Sequence, residues 1–425
     1  MLSLTETPVF STEDTRFQEI SNLIVKVTNR CNLNCSYCYE NIVQKGQDMD
    51  LKTFKNLVDK VMKNSVQNRI NFILHGGEPT LIGIEWITAA VEYAKQQAKI
   101  YGKSTTFGIQ TNMIALTDKL INTFIDLNVH ISCSLDGPHY LKGAMRDYAQ
   151  KAYQCYQLAR KLDANVGILM TINHSNYQYF TEIIDWLKNE LQVREFKANV
   201  ITSVGAGYNL PPLSAEQVFT AQKDILNAMI KTEGKEIVEE NLKVELLRFF
   251  DNNRRETLCA EKTCGAGKRV VGITPDGSLL PCGRFQWDDY NFQLGHLSEK
   301  INSQVAENFQ KSVQNFHSLV PESWYDCESC SARKICSYGC QAFIVRSKEK
   351  ANVECLPTKM KYRFFEENRD KLLPVVNSIR EKYDESRQPE SDYPDYQDEI
   401  TYRDYQDYSD QFYKDSTYTD GGHGW

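Results

Sequence analysis

Three cysteines near the N-terminus have the spacing of ligands to a metal centre. Cys31, Cys35 and Cys38 form a Cys-x3-Cys-x2-Cys motif, with Tyr37 directly before the last cysteine. Three thiolates can hold three irons of a cubane iron–sulfur cluster and leave the fourth iron with an open coordination position. A structural zinc site normally needs four ligands, and no fourth lies nearby in sequence. The motif therefore favours a cluster that binds a further ligand, with zinc as the alternative.

A second group of cysteines follows between residues 259 and 355 of the 425-residue chain. Its members are Cys259, Cys264, Cys282, Cys327, Cys330, Cys336, Cys340 and Cys355. Eight thiolates suffice to close two cubane clusters completely, although a Cys-x2-Cys pair also suits a tetrahedral zinc site. Cys133 and Cys155 belong to neither group, and we expect them to be small buried residues.

The elements that must position the first motif alternate in type. Predicted strands are residues 23–27, 70–74, 105–110, 129–135, 166–172 and 195–200, and predicted helices are residues 51–66, 84–100, 117–127, 149–162 and 177–191. Six strands with helical crossovers imply an α/β fold with a parallel sheet, for which an open barrel of six β/α units is the natural closure. In such a barrel the chemistry gathers on the loops after the strands.

The sequence changes character beyond the predicted barrel. Residues 214–250 have the pattern of two helices interrupted near Gly234, and Pro275-Asp276-Gly277 predicts a hairpin turn among the later cysteines. A last amphipathic helix is predicted over residues 360–382. We therefore divide the chain into an N-terminal extension (1–20), a barrel (21–235), a small metal-organised domain (236–382) and a tail (383–425).

The first cysteine motif and the segment after the second strand together resemble the radical S-adenosylmethionine (SAM) enzymes. In that family the open iron chelates the amino and carboxylate groups of the methionine moiety. His75-Gly76-Gly77-Glu78-Pro79 is similar to the family's Gly-Gly-Glu-Pro segment, which contacts that amino group, and glycine lets a backbone approach a ligand closely. The resemblance implies a [4Fe–4S] cluster on Cys31, Cys35 and Cys38, and reductive cleavage of SAM.

Segments on later strands extend the resemblance. Thr111-Asn112 is similar to the family's pair after the third strand, although Met113 replaces the usual glycine, and Ser134 opens a similar segment after the fourth. The resemblance implies SAM contacts from Tyr37, Gly76, Gly77, Glu78, Pro79, Thr111, Asn112, Ser134 and Arg146. The alternative for the later segments is an ordinary strand end followed by a turn, and for Arg146 a surface salt bridge.

The second cysteine group resembles the SPASM domain of peptide-modifying radical enzymes. The resemblance assigns Cys259, Cys264, Cys282 and Cys340 to a first auxiliary [4Fe–4S] cluster, and Cys327, Cys330, Cys336 and Cys355 to a second. Fully ligated clusters of this kind are expected to transfer electrons. Related anaerobic sulfatase maturases place an Asp general base directly after the third auxiliary cysteine, whereas Gly283 and Arg284 follow Cys282 here. Oxidation to formylglycine is therefore disfavoured, and the catalytic base is not identified.

The charge of the chain is concentrated at its C-terminal end. The whole sequence has a formal net charge of −7. Residues 383–425 contain 12 acidic and 3 basic residues and 8 of the 23 tyrosines, so the other residues have a net charge of +2. Such a tail, with few aliphatic residues, cannot bury enough apolar surface to fold alone and is predicted to be disordered.

The remaining composition excludes several classes of protein. The N-terminus is acidic and lacks the basic and apolar segments of a signal peptide. No run approaches the eighteen or so apolar residues of a spanning helix. We therefore expect a cytoplasmic protein with reduced thiols, and the near-neutral body predicts neither a membrane nor a nucleic-acid partner.

The tail repeats a three-residue unit, Tyr-x-Asp, seven times. The units are Tyr393 with Asp395, Tyr396 with Asp398, Tyr402 with Asp404, Tyr405 with Asp407, Tyr408 with Asp410, Tyr413 with Asp415, and Tyr418 with Asp420. Fixed spacing with a variable middle residue resembles the substrates of radical SAM/SPASM enzymes that form three-residue cyclophanes. The resemblance implies crosslinking of Tyr to Asp in a ribosomal peptide, with flavodoxin or ferredoxin as the electron donor.

Two alternatives to this function stay open. The same machinery could form a thioether, an ether, an epimer or formylglycine on a separate peptide or protein, with the tail as a disordered acidic appendage. The cysteines could also only hold the fold, as a zinc or iron–sulfur scaffold. A fused substrate is favoured by the absence of an obvious peptide-recognition domain at the N-terminus, because fusion raises the effective concentration of the peptide.

Overall fold

Six parallel strands in sequential order form the centre of the protein. The computed structural model describes residues 13–40, 46–141, 148–251, 264–319, 327, 329–336, 338–348 and 351–385. The central strands are β1 (Asn22–Thr28), β2 (Arg69–Gly76), β3 (Ser104–Thr111), β4 (Val129–Ser134), β5 (Val166–Ile172) and β6 (Glu195–Val200). Each pairs in parallel with the next, from β1 to β6.

Helices cross between successive strands of this sheet. They are α1 (Leu51–Asn64), α2 (Ile84–Ile100), α3 (Asp118–Asp126), α4 (Ala149–Lys161) and α5 (Phe180–Asn189). α1 shows why the sequence folds this way: Asp50 accepts a hydrogen bond from the backbone N–H of Lys52, and Phe54, Leu57, Val58 and Val61 bury one face. The predicted α/β fold with a partial barrel of six β/α units is confirmed.

The sheet continues beyond the barrel at both edges. β7 (Val238–Glu239) pairs with β6, and β8 (Val270–Ile273) pairs in parallel with β1. β9 (Ser278–Leu280) and β10 (Gly295–His296) then add antiparallel strands, which makes one sheet of ten strands in the order β10-β9-β8-β1-β2-β3-β4-β5-β6-β7. The segment with the later cysteines therefore shares a sheet with the barrel, and the predicted hairpin at Gly277, with φ of 96°, is confirmed.

The remaining helices pack at one end of the barrel and around the later cysteines. They are α6 (Ala215–Lys231), α7 (Glu240–Phe250), α8 (Ser303–Ser318), α9 (Gln341–Arg346), α10 (Cys355–Glu367) and α11 (Arg369–Glu385). The two helices expected around Gly234 are confirmed as α6 and α7. The single final helix expected over residues 360–382 is wrong, because the chain forms α10 and α11 with a break at Asn368.

Burial alternates along the inner strands and distinguishes the two faces of the sheet. Ile131 and Cys133 of β4 are fully buried, while the alternating residues His130, Ser132 and Ser134 are only partly buried. The fully buried face packs under the helices, and the partly buried face lines the inside of the open barrel. Cys133 is completely buried and Cys155 is 2% exposed, which confirms the expectation for both.

Two predicted regions lie outside the described residues. These are the tail from residue 386 onward and the first 12 residues. Among the described helices, none is long and apolar enough to cross a membrane. The proposed domain boundaries stay predictions.

All seven Tyr-x-Asp units belong to the part of the tail that the structure does not describe. Their role as substrate therefore stays a prediction at every position. The tyrosines concerned are Tyr393, Tyr396, Tyr402, Tyr405, Tyr408, Tyr413 and Tyr418. The aspartates concerned are Asp395, Asp398, Asp404, Asp407, Asp410, Asp415 and Asp420.

Candidate active site

The first cysteine motif lies on the loop that leaves the C-terminal end of β1. The backbone N–H of Cys38 donates to the carbonyl of Cys35 at 3.1 Å, which turns the loop back on itself. The three sulfurs are close enough to interact electrostatically. Burial raises the pKa of Cys31, and raises that of Cys38 to about 12. Metal binding displaces protons from such thiols, so this donor set fits a cluster held by three cysteines.

Gly76 and Gly77 hold the second segment against this cysteine loop. A Cβ on Gly76 would lie 2.0 Å from the Thr28 carbonyl oxygen, and one on Gly77 would lie 2.1 Å from that of Arg30. The N–H of Gly77 donates to Thr28 at 2.9 Å, and that of Glu78 donates to Arg30 at 2.7 Å. Sequence reasoning explained the glycines by close approach to a ligand. The structure shows a second cause, which is close approach to the cysteine loop.

The carboxylate of Glu78 joins this segment to the end of β3. It is 1% exposed and accepts hydrogen bonds from the Thr80 hydroxyl at 2.6 Å, the Thr111 hydroxyl at 2.8 Å and the Asn112 backbone N–H at 2.8 Å. Burial raises the pKa of Glu78, while these donors lower it. Glu78, Thr111 and Asn112, three of the predicted cofactor contacts, therefore form one hydrogen-bonded unit. Some of their polar groups are already used in hydrogen bonds to one another.

The side chain of Asn112 connects that unit to the cysteine loop. Its side-chain amide donates to Asn32 Oδ1 at 2.8 Å and lies 3.8 Å from the sulfur of Cys31. Met113, which stands where the family has glycine, takes a left-handed backbone with φ of 72° and is completely buried. Its N–H bonds to the Thr111 hydroxyl at 3.0 Å. A buried non-glycine residue in this conformation is strained, a feature that is frequent at functional sites.

The other predicted cofactor contacts are distributed along the same edge of the sheet. The hydroxyl of Tyr37 donates to Asp136 after β4, and Asp136 also accepts from the N–H of Thr171 at 2.9 Å. Ser134 accepts from the Gln110 side chain at 2.8 Å. Pro79 is buried and begins a short 3-10 helix. Arg146 lies outside the described residues, so its predicted role stays a prediction.

Sequence reasoning missed a cluster of charges on the inner face of β1 and β2. Lys26 donates to both oxygens of Glu40, at 2.9 and 3.0 Å, and to the carbonyl of Phe285. His75 lies opposite Lys26 in the pairing of β1 with β2. Its Nδ1 accepts a hydrogen bond from the N–H of Gly76 at 2.8 Å, so Nε2 carries the proton and donates to the Tyr39 hydroxyl at 3.1 Å. Burial, Lys26 and Arg284 lower the pKa of His75 to about 3. The sequence signal that could have indicated this cluster is a lysine, Lys26, inside a predicted strand.

Three predicted ligands of the first auxiliary cluster come together beside β8 and β9. Cys264, Cys282 and Cys340 pack against one small apolar cluster that includes Ala266, Leu280 and Phe285. Cys259, the fourth predicted ligand, lies outside the described residues. All three are partly buried beside the same apolar cluster, which is compatible with their predicted role as ligands of one cluster.

The residue after Cys282 has no room for a side chain. A Cβ on Gly283 would lie 2.4 Å from Cγ2 of Ile24 in β1. The next residue, Arg284, places its guanidinium carbon 5.1 Å from the ring centroid of Tyr39 and 4.8 Å from that of Phe343. An aspartate directly after Cys282 would therefore clash with Ile24 in the present packing.

The four predicted ligands of the second auxiliary cluster lie close together. The sulfur of Cys327 interacts electrostatically with those of Cys330 and Cys355, and Cys336 does so with Cys327 and Cys355. Burial raises the pKa of Cys336 to about 12, with Glu245 adding to that rise. Glu245 accepts from Lys361 at 2.6 Å, so an ion pair between α7 and α10 lies beside this group.

None of these groups has the geometry of a site for one metal ion. Among the described residues, no three His, Cys, Asp or Glu side chains are spaced as the ligands of a single ion. Thiolates that bind different irons of a cubane do not need to converge on one point.

The comparisons identify the class of protein that this fold and loop define. Residues 25–187, from β1 to α5, match the family model described as the radical SAM superfamily. The matched part of the chain is therefore similar to radical SAM domains, and it contains both the cysteine motif and the Gly76–Pro79 segment.

Individual relatives extend the match beyond that domain. The chain is 24% identical over 394 residues to the cysteine-type anaerobic sulfatase-maturating enzyme of Clostridium novyi, covering 85% of this chain and 98% of that enzyme. It is 27% identical over 342 residues to an uncharacterized protein of Archaeoglobus fulgidus, covering 77% and 76% of the two chains.

Solved structures show the same fold. Native anSMEcpe with bound AdoMet and Cp18Cys peptide superposes with a TM-score of 0.70 at 19% identity, covering 84% of this chain and 99% of that one. Streptococcus suis SuiB bound to S-adenosylmethionine superposes with a TM-score of 0.56 at 15% identity, covering 79% and 75%. At these identities the likeness establishes the fold.

Proposed function

We propose that this chain is a peptide maturase that cleaves SAM reductively and crosslinks Tyr to Asp within Tyr-x-Asp units, its own tail included. The single observation that carries the proposal is the combination, in one chain, of the radical SAM cysteine loop with seven Tyr-x-Asp units. Similarity to a sulfatase-maturating enzyme, and to solved structures that contain a bound peptide, supports a peptide or protein substrate.

The residues that would hold the cofactors follow from the site. Cys31, Cys35 and Cys38 would hold the SAM-binding cluster, with the glycine segment and Asn112 beside it. Cys259, Cys264, Cys282 and Cys340 would hold one auxiliary cluster, and Cys327, Cys330, Cys336 and Cys355 would hold a second, which gives about twelve irons per chain in total. Anaerobic counting of iron and sulfide checks this number, and about four irons per chain in intact protein would exclude the auxiliary pair.

The proposed conversion removes two hydrogens from each unit. The Cβ–H bond of Asp breaks, a bond forms between that Cβ and a carbon of the Tyr ring, and the ring loses one electron and one proton to regain aromaticity. The chemistry that SAM and the clusters would supply when bound is a 5'-deoxyadenosyl radical to take the hydrogen atom and an acceptor for the electron.

Mass spectrometry of the full chain tests the proposal. After anaerobic incubation with SAM and dithionite, we expect the tail peptides to lose the mass of two hydrogens per crosslink, together with formation of 5'-deoxyadenosine. Replacement of each tail Asp by Asn, or of Cys35 by Ala, provides two matched controls that should each abolish the loss. An unchanged tail mass while SAM is cleaved overturns the proposal.

A second candidate is supported by the relatives. Oxidation of a Cys or Ser to formylglycine on a separate protein is the activity suggested by similarity to sulfatase-maturating enzymes. The residue after Cys282 argues against it, because it is Gly283, which carries no acidic group, and a Cβ there would lie 2.4 Å from Cγ2 of Ile24. Incubation with a sulfatase-derived Cys peptide distinguishes the two functions, since formylglycine and a crosslink change the peptide mass differently.

A further inference from the structure

A groove of about 350 Å³ lies where the loop after β6 meets the segment of the later cysteines. Val204, Gly205 and Tyr208, which follow β6, form one wall, and the opposite wall includes Phe292 and Arg346. The volume falls in the range of pockets that bind small ligands, about 300–1,000 Å³. The groove is therefore large enough to take one side chain of a peptide.

The wall after β6 packs directly on the first cysteine loop. The backbone N–H of Ala206 donates to the carbonyl of Cys38 at 2.7 Å. A Cβ on Gly205, which has a φ of 62°, would lie 2.5 Å from the same carbonyl oxygen. Gly205 thus lines the groove and touches the cysteine loop with no side chain between them.

The opposite wall belongs to the surroundings of the later cysteines. Val345 lines the groove and lies in α9, which begins directly after Cys340. It is also part of the apolar cluster against which Cys264, Cys282 and Cys340 pack. A side chain in the groove would therefore lie between the loop predicted to hold the SAM-binding cluster and three cysteines predicted to hold an electron acceptor.

The lining of the groove suits a phenol ring. Tyr208 is 45% exposed and Phe292 is half-buried, so two aromatic rings are available for contact with a third. Asp289 also lines the groove, and its Oδ2 accepts hydrogen bonds from Arg346 Nε at 2.8 Å and from the N–H of Gln286 at 2.6 Å. A carboxylate offers about four lone-pair positions, so a phenol hydroxyl can donate to it as well. Because Arg346 balances this charge, the groove favours a neutral polar group over an ion.

We propose that this groove binds the tyrosine ring of a Tyr-x-Asp unit, with Tyr208 and Phe292 against the ring and Asp289 as the acceptor for its hydroxyl. The inference rests on the proposed function, because it takes the tail as the occupant. The chain beyond residue 385 supplies seven such rings. Tyr208 then helps to select an aromatic residue at the first position of the unit.

Photolabelling from the tail tests where the ring lies. In the full-length chain, Tyr413 is replaced by p-azidophenylalanine, which is similar in shape to tyrosine. The reconstituted protein is irradiated without SAM or reductant, and tandem mass spectrometry locates the attachment. We expect attachment to the peptides that contain Tyr208 or Phe292. Attachment only to residues outside the groove overturns the proposal.

Variants of Tyr208 test the contact with the ring. Tyr208→Ala should reduce attachment to the Phe292 peptide about tenfold, the upper range for loss of one aromatic contact, whereas Tyr208→Phe should retain it. Tyr101→Ala is the matched control, because Tyr101 is 42% exposed and lies after α2, away from the groove. Equal attachment in wild type and in Tyr208→Ala also overturns the proposal.

Failure of the proposed function gives a different pattern. Photolabelling requires no cleavage of SAM, so attachment in the groove together with an unchanged tail mass after turnover would support the ring site and exclude the crosslinking. Loss of two hydrogens per unit together with attachment elsewhere would support the crosslinking and overturn the ring site.

Discussion

The carboxylate of Glu78 accepts a hydrogen bond from the backbone N–H of Asn112 at 2.8 Å, which ties the segment after β2 to the end of β3. Asn112 in turn reaches Asn32 in the cysteine loop. Through this relay the positions of three strand-end loops depend on one buried carboxylate. Four hydrogen bonds converge on it, and each unmade one would leave a buried polar group without a partner.

Replacement of Glu78 by Gln should destabilise this relay. Both oxygens of the carboxylate accept hydrogen bonds, whereas a Gln amide replaces one oxygen by an NH2 group that donates two. At least one buried N–H or O–H donor would then face another donor. We expect a loss of about 1–3 kcal/mol in the free energy of unfolding and weaker SAM binding. Urea unfolding and equilibrium dialysis measure the two effects. Glu85→Gln, at an exposed position in α2, should change neither, and an E78Q protein as stable as wild type would contradict the prediction.

Substitution of Gly77 by Ala should be strongly destabilising. The new methyl group would lie 2.1 Å from the backbone oxygen of Arg30, which cannot move without displacing Cys31. We expect a cost of at least about 2 kcal/mol and a lowered iron content. Gly102→Ala is the control, because nothing lies within 4 Å of its Cβ position and only its φ of 65° opposes the change, at about 1 kcal/mol. Equal losses in both variants would argue against the steric explanation.

The contact between Ile24 and Gly283 can be tested by a double-mutant cycle. Gly283→Ala alone should destabilise by about 1–3 kcal/mol through overpacking. In an Ile24→Ala background the same change should cost much less, because the obstructing Cγ2 is gone, giving a coupling of about 1 kcal/mol or more. Denaturant unfolding of the four proteins gives the coupling. Additive losses would mean that Gly283 is required for another reason.

Acidification should destabilise the fold through His75. The pKa of this imidazole is lowered from 6.5 to about 3 by burial first, and then by Lys26 and Arg284. A group with a lowered folded pKa supports stability above its unfolded value, and that support is lost as the pH falls from 6.5 towards 3. His75 alone should account for about 2 kcal/mol between pH 7.5 and pH 5.

The control for His75 is a side chain that cannot titrate. His75→Asn should flatten the difference in unfolding free energy between pH 7.5 and pH 5 relative to wild type. His130, whose pKa burial lowers to about 4, remains in both proteins and contributes equally. An unchanged pH dependence in the variant would show that His75 is not the responsible group.

Modification of the tail in cis should begin at its distal units. The tail follows α11. Near the end of that helix, Lys382 interacts electrostatically with Glu195 at the N-terminal end of β6. The cysteine loop lies at the opposite, C-terminal ends of the parallel strands. The eight residues from 386 to 393 can extend at most about 28 Å. To reach the cysteine loop they must pass the length of a strand, which is about 23 Å for seven residues, and also the thickness of the helix layer. Distal units therefore reach the site with less extension.

Time-resolved tandem mass spectrometry measures this order. We expect the first crosslinks between Tyr413 and Asp415 or between Tyr418 and Asp420, at a rate per molecule that is independent of protein concentration. A rate that rises with concentration would indicate modification between molecules. First crosslinks at Tyr393 would contradict the order derived from the attachment of the tail.

Local patterns in the sequence were enough to determine the type of fold, the cysteine groups and the repeated unit of the tail. Strands and helices of the barrel follow from hydrophobic periodicities of 2 and 3.6, which neighbouring residues encode. The motif of Cys31, Cys35 and Cys38 indicates a metal centre through spacing within only eight residues. By contrast, the break at Asn368 was missed, because an amphipathic pattern can continue across a short turn between two helices.

Only the tertiary structure decided which distant groups meet. Glu78 binds Asn112, Lys26 binds Glu40 and the carbonyl of Phe285, and Ile24 excludes a side chain at position 283. Each contact depends on the order and register of strands, above all on β8 lying beside β1. Such pairings depend on burial across the whole sheet, and no periodicity along the chain specifies them.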